Sequence, residues 1–369
     1  MAVNDTKVLH IINNLGSGGA EKLIEDTLPI LNKKEGVEVE LLLLTDKNNV
    51  FLESLKKQGI KINVIGTDNI YSPTNIFSIR KFIKNNDFDI IHAHLFPTIY
   101  WTALAAKSFF NRGFKLVATE HNTHNNRREH IIFQPIDKFI YREFDKLISI
   151  SQKTEANLLD WLEVKKNSKF TVVENGIDTQ KFNEAESYSK KEMCSIFNED
   201  NIFITMVGRF SKQKDQKTLI RAMEKLDDNF HLFLVGEGQL LEEHKKYVEN
   251  LNLDNKVHFL GFRNDVDRIL KTSDIVVLSS NWEGFGLAAV EGMAAGKPVI
   301  ASDVSGLREV VKGAGLLFEQ GNEEELAEII SKLISDKKYY KLISQKCLNK
   351  SKIYDIQNMC EQLLHLYKR

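Results

Sequence analysis

Short apolar runs rich in β-branched residues recur along this chain, and most are separated by longer stretches of helical period. Seven fall in the first half, at 7–12, 37–44, 60–65, 89–93, 115–119, 146–150 and 170–173. Five more follow, at 202–207, 231–235, 256–260, 274–278 and 298–301. Amphipathic segments such as 21–33 and 75–84 lie between them. Strands this uniformly apolar are buried on both faces, and strands separated by helices pair in parallel. The class is therefore α/β, and 369 residues are too many for one ordinary core.

Both halves open alike. Lys7-Val-Leu-His-Ile-Ile leads into a glycine-rich turn and a helix, and Ile202-Phe-Ile-Thr-Met-Val leads into Gly208, a polar turn and a helix beginning near Asp215. The pattern predicts two tandem Rossmann-like, doubly wound parallel-sheet domains, with a polar connection at 178–201. Ligands bind outside the carboxyl ends of such strands, so two domains facing each other would place the chemistry in a central cleft. The tail, 323–369, reads as helix in two or three pieces.

Composition removes several function classes. Residues 1–180 carry 23 basic and 22 acidic side chains and the whole chain has a net charge of −1, so no basic excess is available to track a nucleic-acid backbone. The three cysteines, Cys194, Cys347 and Cys360, show no CxxC spacing, which excludes a disulfide framework or a cysteine zinc site and suits a reducing compartment. The apolar stretch 90–110 contains His92, His94 and Pro97 and reads as strand, loop and buried helix rather than a membrane span. With no secretory h-region at the start, a cytoplasmic protein is expected.

Three strand-to-helix turns carry chemistry. Gly16-Ser17-Gly18-Gly19-Ala20-Glu21 exposes backbone N–H groups at a helix start, as anion sites do. Glu21 stands where a dinucleotide fingerprint needs its third glycine, so a nicotinamide cofactor with Asp46 as ribose acid is not expected, and Walker A is absent. Gly208-Arg209-Phe210 with Lys214 puts a guanidinium and an ammonium at one strand end, suited to a diphosphate whose charge grows as it leaves. Asn281-Trp282-Glu283-Gly284-Phe285-Gly286-Leu287 opens a helix carrying Glu291, and such carboxylates can accept from hydroxyl pairs of a sugar or ribose. A plain tight turn, a solvated lysine-rich loop and helix-dipole acids are the structural readings of the same three segments.

Glu283 to Glu291 resembles the E-x7-E signature of the family 4 retaining glycosyltransferases, which have the two-Rossmann-domain GT-B architecture. The resemblance extends to Gly18-Gly19-Ala20-Glu21, Ile91-His-Ala-His94, Thr119-Glu-His121, Val173-Glu-Asn-Gly-Ile-Asp178, Gly208-Arg209 with Lys214, Val235-Gly-Glu-Gly238 and Leu260-Gly-Phe-Arg263, in order over residues 7–320. It implies an N-terminal acceptor-side domain at 1–180, a nucleotide-sugar-binding domain at 181–350 and a last helix, 351–369, crossing back to the first domain. It implies a hexosyltransferase moving sugar from a nucleotide-sugar, UDP-linked before GDP-linked, to a hydroxyl of a glycan or lipid-linked glycan. Arg209 and Lys214 would hold the diphosphate, with Gly18 and Gly19 close to it. Glu291 would hold the ribose, and Glu283 with the N–H groups of Phe285, Gly286 and Leu287 the donor sugar and phosphate. His121 would lie beside the anomeric centre, and the base near Phe262 and Arg263. Positive charge and a helix terminus stabilise the departing diphosphate, so no metal or other cofactor is expected.

Competing readings are specific. Asp87-Phe-Asp89 is a DxD triplet, but it precedes a strand where metal-dependent transferases of another fold have it following one. His92-x-His94 with His121 and His124 has the residue types of a hydrolytic zinc site, although no lysine or terminal aspartate motif accompanies it. A sugar-nucleotide 2-epimerase would share the architecture, and a non-catalytic glycan-binding protein is a further class. Aromatic and basic residues at 109–115 and 125–128, Arg127 and Arg128 among them, suggest a peripheral contact with an anionic membrane at the inner face.

Overall fold

The computed structural model describes residues 5–122, 126–193 and 197–368; His124, Asn125 and Cys194 lie outside them. The chain divides into two compact units, the first formed by residues 1–176 with 356–369 and the second by 177–355.

The first unit is built on strands β1 Thr6–Ile12, β2 Val37–Leu43, β3 Lys61–Val64, β4 Ile90–His94, β5 Lys115–Glu120, β6 Lys146–Ser149 and β7 Phe170–Val172. They form one parallel sheet in the order β3-β2-β1-β4-β5-β6-β7. β1 is central and enclosed on both faces: Leu9 and Ile11 belong to one core cluster, Val8 and Ile12 to the other. Asp89 accepts from the Lys7 N–H at 2.8 Å and so brackets the starts of β1 and β4, the strand-start role that its position before an apolar run suggested. The 90–110 stretch folds as β4, a loop and the helix Thr98–Lys107, whose buried face carries Ile99, Tyr100, Ala103 and Ala106. Among the described residues no helix is long and apolar enough to cross a membrane.

The second unit repeats the plan with β8 Ile202–Val207, β9 Phe230–Val235, β10 Val257–Gly261, β11 Ile275–Leu278, β12 Val299–Ser302 and β13 Leu316–Phe318, ordered β10-β9-β8-β11-β12-β13 and parallel throughout. The thirteenth strand has no counterpart among the twelve runs read from the sequence. It is the three residues Leu316-Leu-Phe318, with no β-branched residue, and follows Gly313 and Gly315.

The tail forms the helices Glu323–Ser335, Lys337–Ser351 and Ile356–Lys368. Asn322 and Asp336 start the first two by accepting from backbone N–H groups with their side chains. The last helix buries Ile356, Met359, Cys360, Leu363 and Tyr367, a stripe at i, i+3, i+4, i+7 and i+11. That stripe joins Leu23, Ile24 and Leu28 of the helix Gly19–Asn32 in one core of the first unit. The C-terminal segment thus returns to the first unit, as the resemblance implies. Each large apolar side chain so buried contributes on the order of 1.5–3 kcal/mol.

Candidate active site

In the second unit three strand ends are joined by backbone. The Gly208 N–H donates to Val235 O at 2.9 Å, Phe210 N–H to Glu237 O at 2.9 Å, and Gly236 N–H to Gly261 O at 2.8 Å. Arg209 therefore follows a rigid β8 end. Its side chain is exposed and has no ion pair or hydrogen bond among the described residues, while its carbonyl accepts from Gln216 at 3.0 Å. Lys214 turns the other way and forms an ion pair with Glu283.

Glu283 is 6% exposed, and a buried carboxylate is costly unless its lone pairs are met. Ser280 Oγ donates to it at 2.9 Å and Gln213 Nε2 at 3.4 Å, alongside Lys214. Asn281 fastens the two loops together, donating from its backbone N–H to Gln213 O at 2.7 Å and from its side chain to Lys212 O at 2.8 Å. The sequence separates Lys214 and Glu283 by task, a diphosphate for one and a sugar for the other. The structure joins them in one ion pair. Asn281 opens the candidate turn in the sequence but has no role there, and Ser280 and Gln213 are missed, because polar residues in a loop carry no spacing signal.

Phe285 is buried and packs edge-on against Tyr354 at 5.2 Å. Gly286 starts the helix Leu287–Ala294 with φ of 89°, a left-handed conformation that favours glycine, and a Cβ there would also press on the end of the Leu307 side chain at 2.5 Å. Glu291 lies one turn into this helix and is partly exposed. Arg263, just beyond β10, forms a two-pronged pair with Asp265 at 2.7 and 2.5 Å, and Tyr188 adds a hydroxyl at 2.7 Å. The Arg263 hydrogen bonds, helped by Tyr188, hold the Asp265 carboxyl well below the usual range. Phe262 beside it is at the surface.

In the first unit, Gly18 caps the helix Gly19–Asn32, and the Glu21 carboxylate folds back so that a Cβ on Gly18 would lie 2.3 Å from Oε2. An acid of the chain itself thus sits at the helix start, where the sequence left room for an anion. The ends of β4 and β5 bring His94 and His121 together, Nδ1 to Nε2 at 3.1 Å. His10 of β1 joins them, its Nδ1 2.9 Å from His94 Nε2. His92 lies between Tyr367 OH and Thr119 Oγ1, 2.7 Å from each. Burial lowers all four histidines, His10 to about 3 and His121 to about 4, so they are neutral at pH 7. The zinc reading groups His92 and His94 with His121 and His124; His124 lies outside the described residues, and among those described the residues whose nitrogens all lie within 4.8 Å of one another are His10, His92 and His94. The signal for His10 was a histidine inside an apolar strand. Tyr367 is 275 residues from His92 and gave none.

The basic segment expected at a membrane surface needs correction. Arg127 stacks on Phe96 and Tyr100, 4.0 and 4.7 Å from the ring centres, and pairs with fully buried Asp137 at 3.3 Å. Arg128 pairs with buried Glu120 at 2.6 Å, which also accepts from Tyr141 at 2.7 Å. Both guanidiniums neutralise interior carboxylates, so neither is a surface cation, and reversing their charge perturbs the fold. Arg112 is also engaged, with Asp145 at 2.7 Å and Glu143 O at 2.9 Å.

Comparison with known proteins agrees with this architecture. Residues 17–181 match the family described as Glycosyltransferase Family 4, and residues 190–349 match Glycosyl transferases group 1. An N-acetylgalactosamine-N,N'-diacetylbacillosaminyl-diphospho-undecaprenol 4-alpha-N-acetylgalactosaminyltransferase of Campylobacter jejuni is 28% identical over 356 residues, 93% of this chain and 94% of its own. An uncharacterized glycosyltransferase of Methanocaldococcus jannaschii is 32% identical over 283 residues, 73% of each chain. The crystal structure of Anabaena HepE in complex with UDP and glucose superposes with a TM-score of 0.85 at 22% identity, covering 98% of this chain and 99% of that one. The chain belongs to the glycosyltransferases, in the superfamily of the family 4 and group 1 enzymes, and has the GT-B fold.

Proposed function

We propose that this chain is a retaining, metal-independent hexosyltransferase that moves a sugar from a nucleotide-sugar, with UDP preferred over GDP, to a hydroxyl of a lipid-linked glycan. The observation that carries the reading is Arg209 just past the carboxyl end of β8, an exposed cation with no ion pair among the described residues, on the same loop as Lys214 of the buried Lys214–Glu283 pair. As the bond from the anomeric carbon to the diphosphate breaks, negative charge grows on the diphosphate oxygens. Arg209 and Lys214 stabilise that charge, together with the N–H groups of Phe285, Gly286 and Leu287 at a helix start. Glu291 holds the ribose, Glu283 the sugar, and Phe262 with Arg263 the base. His121 acts beside the anomeric centre and Gly18 and Gly19 near the diphosphate, as the family resemblance implies. The UDP and glucose named with Anabaena HepE support the donor class. The diphospho-undecaprenol in the Campylobacter relative's name supports a lipid-linked acceptor and peripheral work at the inner membrane face.

The test is a screen of UDP- and GDP-sugars in EDTA, with calorimetry of free UDP. Turnover should survive the chelator. Glu291→Ala should weaken UDP, whereas Glu283→Ala should leave UDP affinity intact or raise it, by releasing Lys214, while abolishing most sugar transfer. Full loss in EDTA restored by one divalent ion contradicts the metal-free reaction, and equal losses of UDP affinity in both variants contradict the division of roles. Interconversion of the donor without acceptor would make the protein an epimerase.

A further inference from the structure

Six side chains of the first unit form one unbranched line of hydrogen-bonding contacts. From His121 Nε2 it passes to His94 Nδ1, from His94 Nε2 to His10 Nδ1, and from His10 Nε2 to Tyr367 OH at 3.3 Å. It continues from Tyr367 OH to His92 Nδ1 and from His92 Nε2 to Thr119 Oγ1. Each neutral imidazole carries one ring proton and each hydroxyl one, which makes six protons for five contacts. His94, His10, Tyr367 and His92 have contacts on both sides, so their protons must lie within the line. One proton is left over, and it can belong only to Thr119 or to His121. The two solutions have opposite direction: every histidine is the Nε2–H tautomer in one and the Nδ1–H tautomer in the other.

The surroundings choose between them. Thr119 is buried on β5, and no other acceptor for its hydroxyl occurs among the described residues. A proton left over there would be an unsatisfied buried donor. Used toward His92, it satisfies the hydroxyl and sends every other proton toward His121, the least buried member of the line. The cavity alongside is small, about 20 Å³, and is faced chiefly by apolar atoms, Leu23, Ile24, Ile148, Val173 and Leu363 among its lining, so it stays dry and supplies no water to accept from Thr119 or to compete for the ring nitrogens. The spacing also favours protons over an ion: two nitrogens on a tetrahedral zinc at 2.0–2.1 Å lie roughly 3.3 Å apart, farther than His10 and His94 at 2.9 Å.

We propose that Thr119 and Tyr367 are positioning residues that set the direction of this line, so that His121 is held as the Nδ1–H tautomer and offers a hydrogen-bond donor to an oxygen of the transferred sugar. The second half rests on the reading of His121 as a reaction-side residue; the first half does not. Tyr367, on the last helix, makes the return of the C-terminal segment part of the catalytic apparatus as well as of the core.

Nitrogen-15 NMR of the full chain at pH 7.5 reads the tautomers directly. Four Nδ1–H histidines with the shifts of His10, His92, His94 and His121 are expected in the wild type. Nε2–H at any of the four overturns the direction, as does one equivalent of tightly bound metal by elemental analysis. Tyr367→Phe cuts the line and Thr119→Val, close to isosteric, removes its source; either should give mixed tautomers at His121. The kcat should then fall about tenfold, the worth of roughly one net hydrogen bond, with donor KM little changed. Mixed tautomers with unchanged kcat would overturn the positioning role. If Tyr367→Phe does not fold, Thr119→Val and the wild-type spectrum still decide. A protein with no transferase activity on any donor would fail the functional reading while the spectrum still judged the line.

Discussion

Arg209→Ala is expected to lower donor turnover by about 10²–10³-fold, the usual loss when one preorganised donor to a developing anion is removed. The melting temperature should move little, because the guanidinium is exposed and makes no ion pair among the described residues. Exposed side chains without partners contribute within about 0.5 kcal/mol to stability. Lys214→Ala should behave differently. The ammonium is only 17% exposed and is the ion partner of a carboxylate that is 7% exposed, so its removal strands a buried charge. Breaking such a pair typically costs about 3–5 kcal/mol. Both variants lose rate, but only the lysine variant should also lose stability. The sequence alone treats the two cations as equivalent clamp members; burial separates them. Near-normal turnover in a folded Arg209→Ala would remove the clamp from the mechanism.

The strands were legible because a parallel sheet covered on both faces needs runs of apolar residues, and such runs survive in the sequence as local composition. β13 was not, since Leu316-Leu-Phe318 has no β-branched residue and lies between glycine-rich turns. The loops of the candidate site were legible through glycine and charge at strand ends. The contacts that give them physical meaning were not. That Glu283 faces Lys214 depends on the ordering of β8 beside β11, which brings residues 69 apart into one pair. That Arg127 and Arg128 point inward depends on Asp137 and Glu120 being buried, and an arginine written in a loop looks the same whether solvated or paired. The histidine line shows the limit most plainly. His92-x-His94 is visible as a motif, but strand alternation sends these two and His10 into one layer, and Tyr367 reaches them only because the last helix returns. A motif of metal-binding type then becomes a network in which ring nitrogens are spent on one another.

That network should make the first unit sensitive to mild acid. His10, His92, His94 and His121 are lowered by burial, to about 3 for His10 and about 4 for His121, against about 6.5 in an unfolded chain. Above pH 6.5 both states are neutral at these positions, and stability is complete. Below it the unfolded chain binds protons that the folded chain refuses, so stability falls as pH falls until the folded values are reached. His10 and His121 then each contribute a loss of about 1.4 kcal/mol per pH unit, roughly 3 kcal/mol together by pH 5.5, and His92 and His94 act in the same direction. Whole domains are stable by only about 5–15 kcal/mol, so the effect is a large fraction of the first unit's stability. Of the histidines in the second unit, only His231 and His258 are lowered by burial, His258 to about 4, so that unit should hold longer. Denaturation midpoints between pH 7.5 and 5.0 should therefore drop steeply below 6.5. Calorimetry in buffers of different ionisation enthalpy should show at least about two protons taken up on unfolding at pH 5.5. A stability that stays flat from pH 7.5 to 5.5 would mean that these imidazoles accept protons in the folded state, and the line of neutral rings would have to be abandoned.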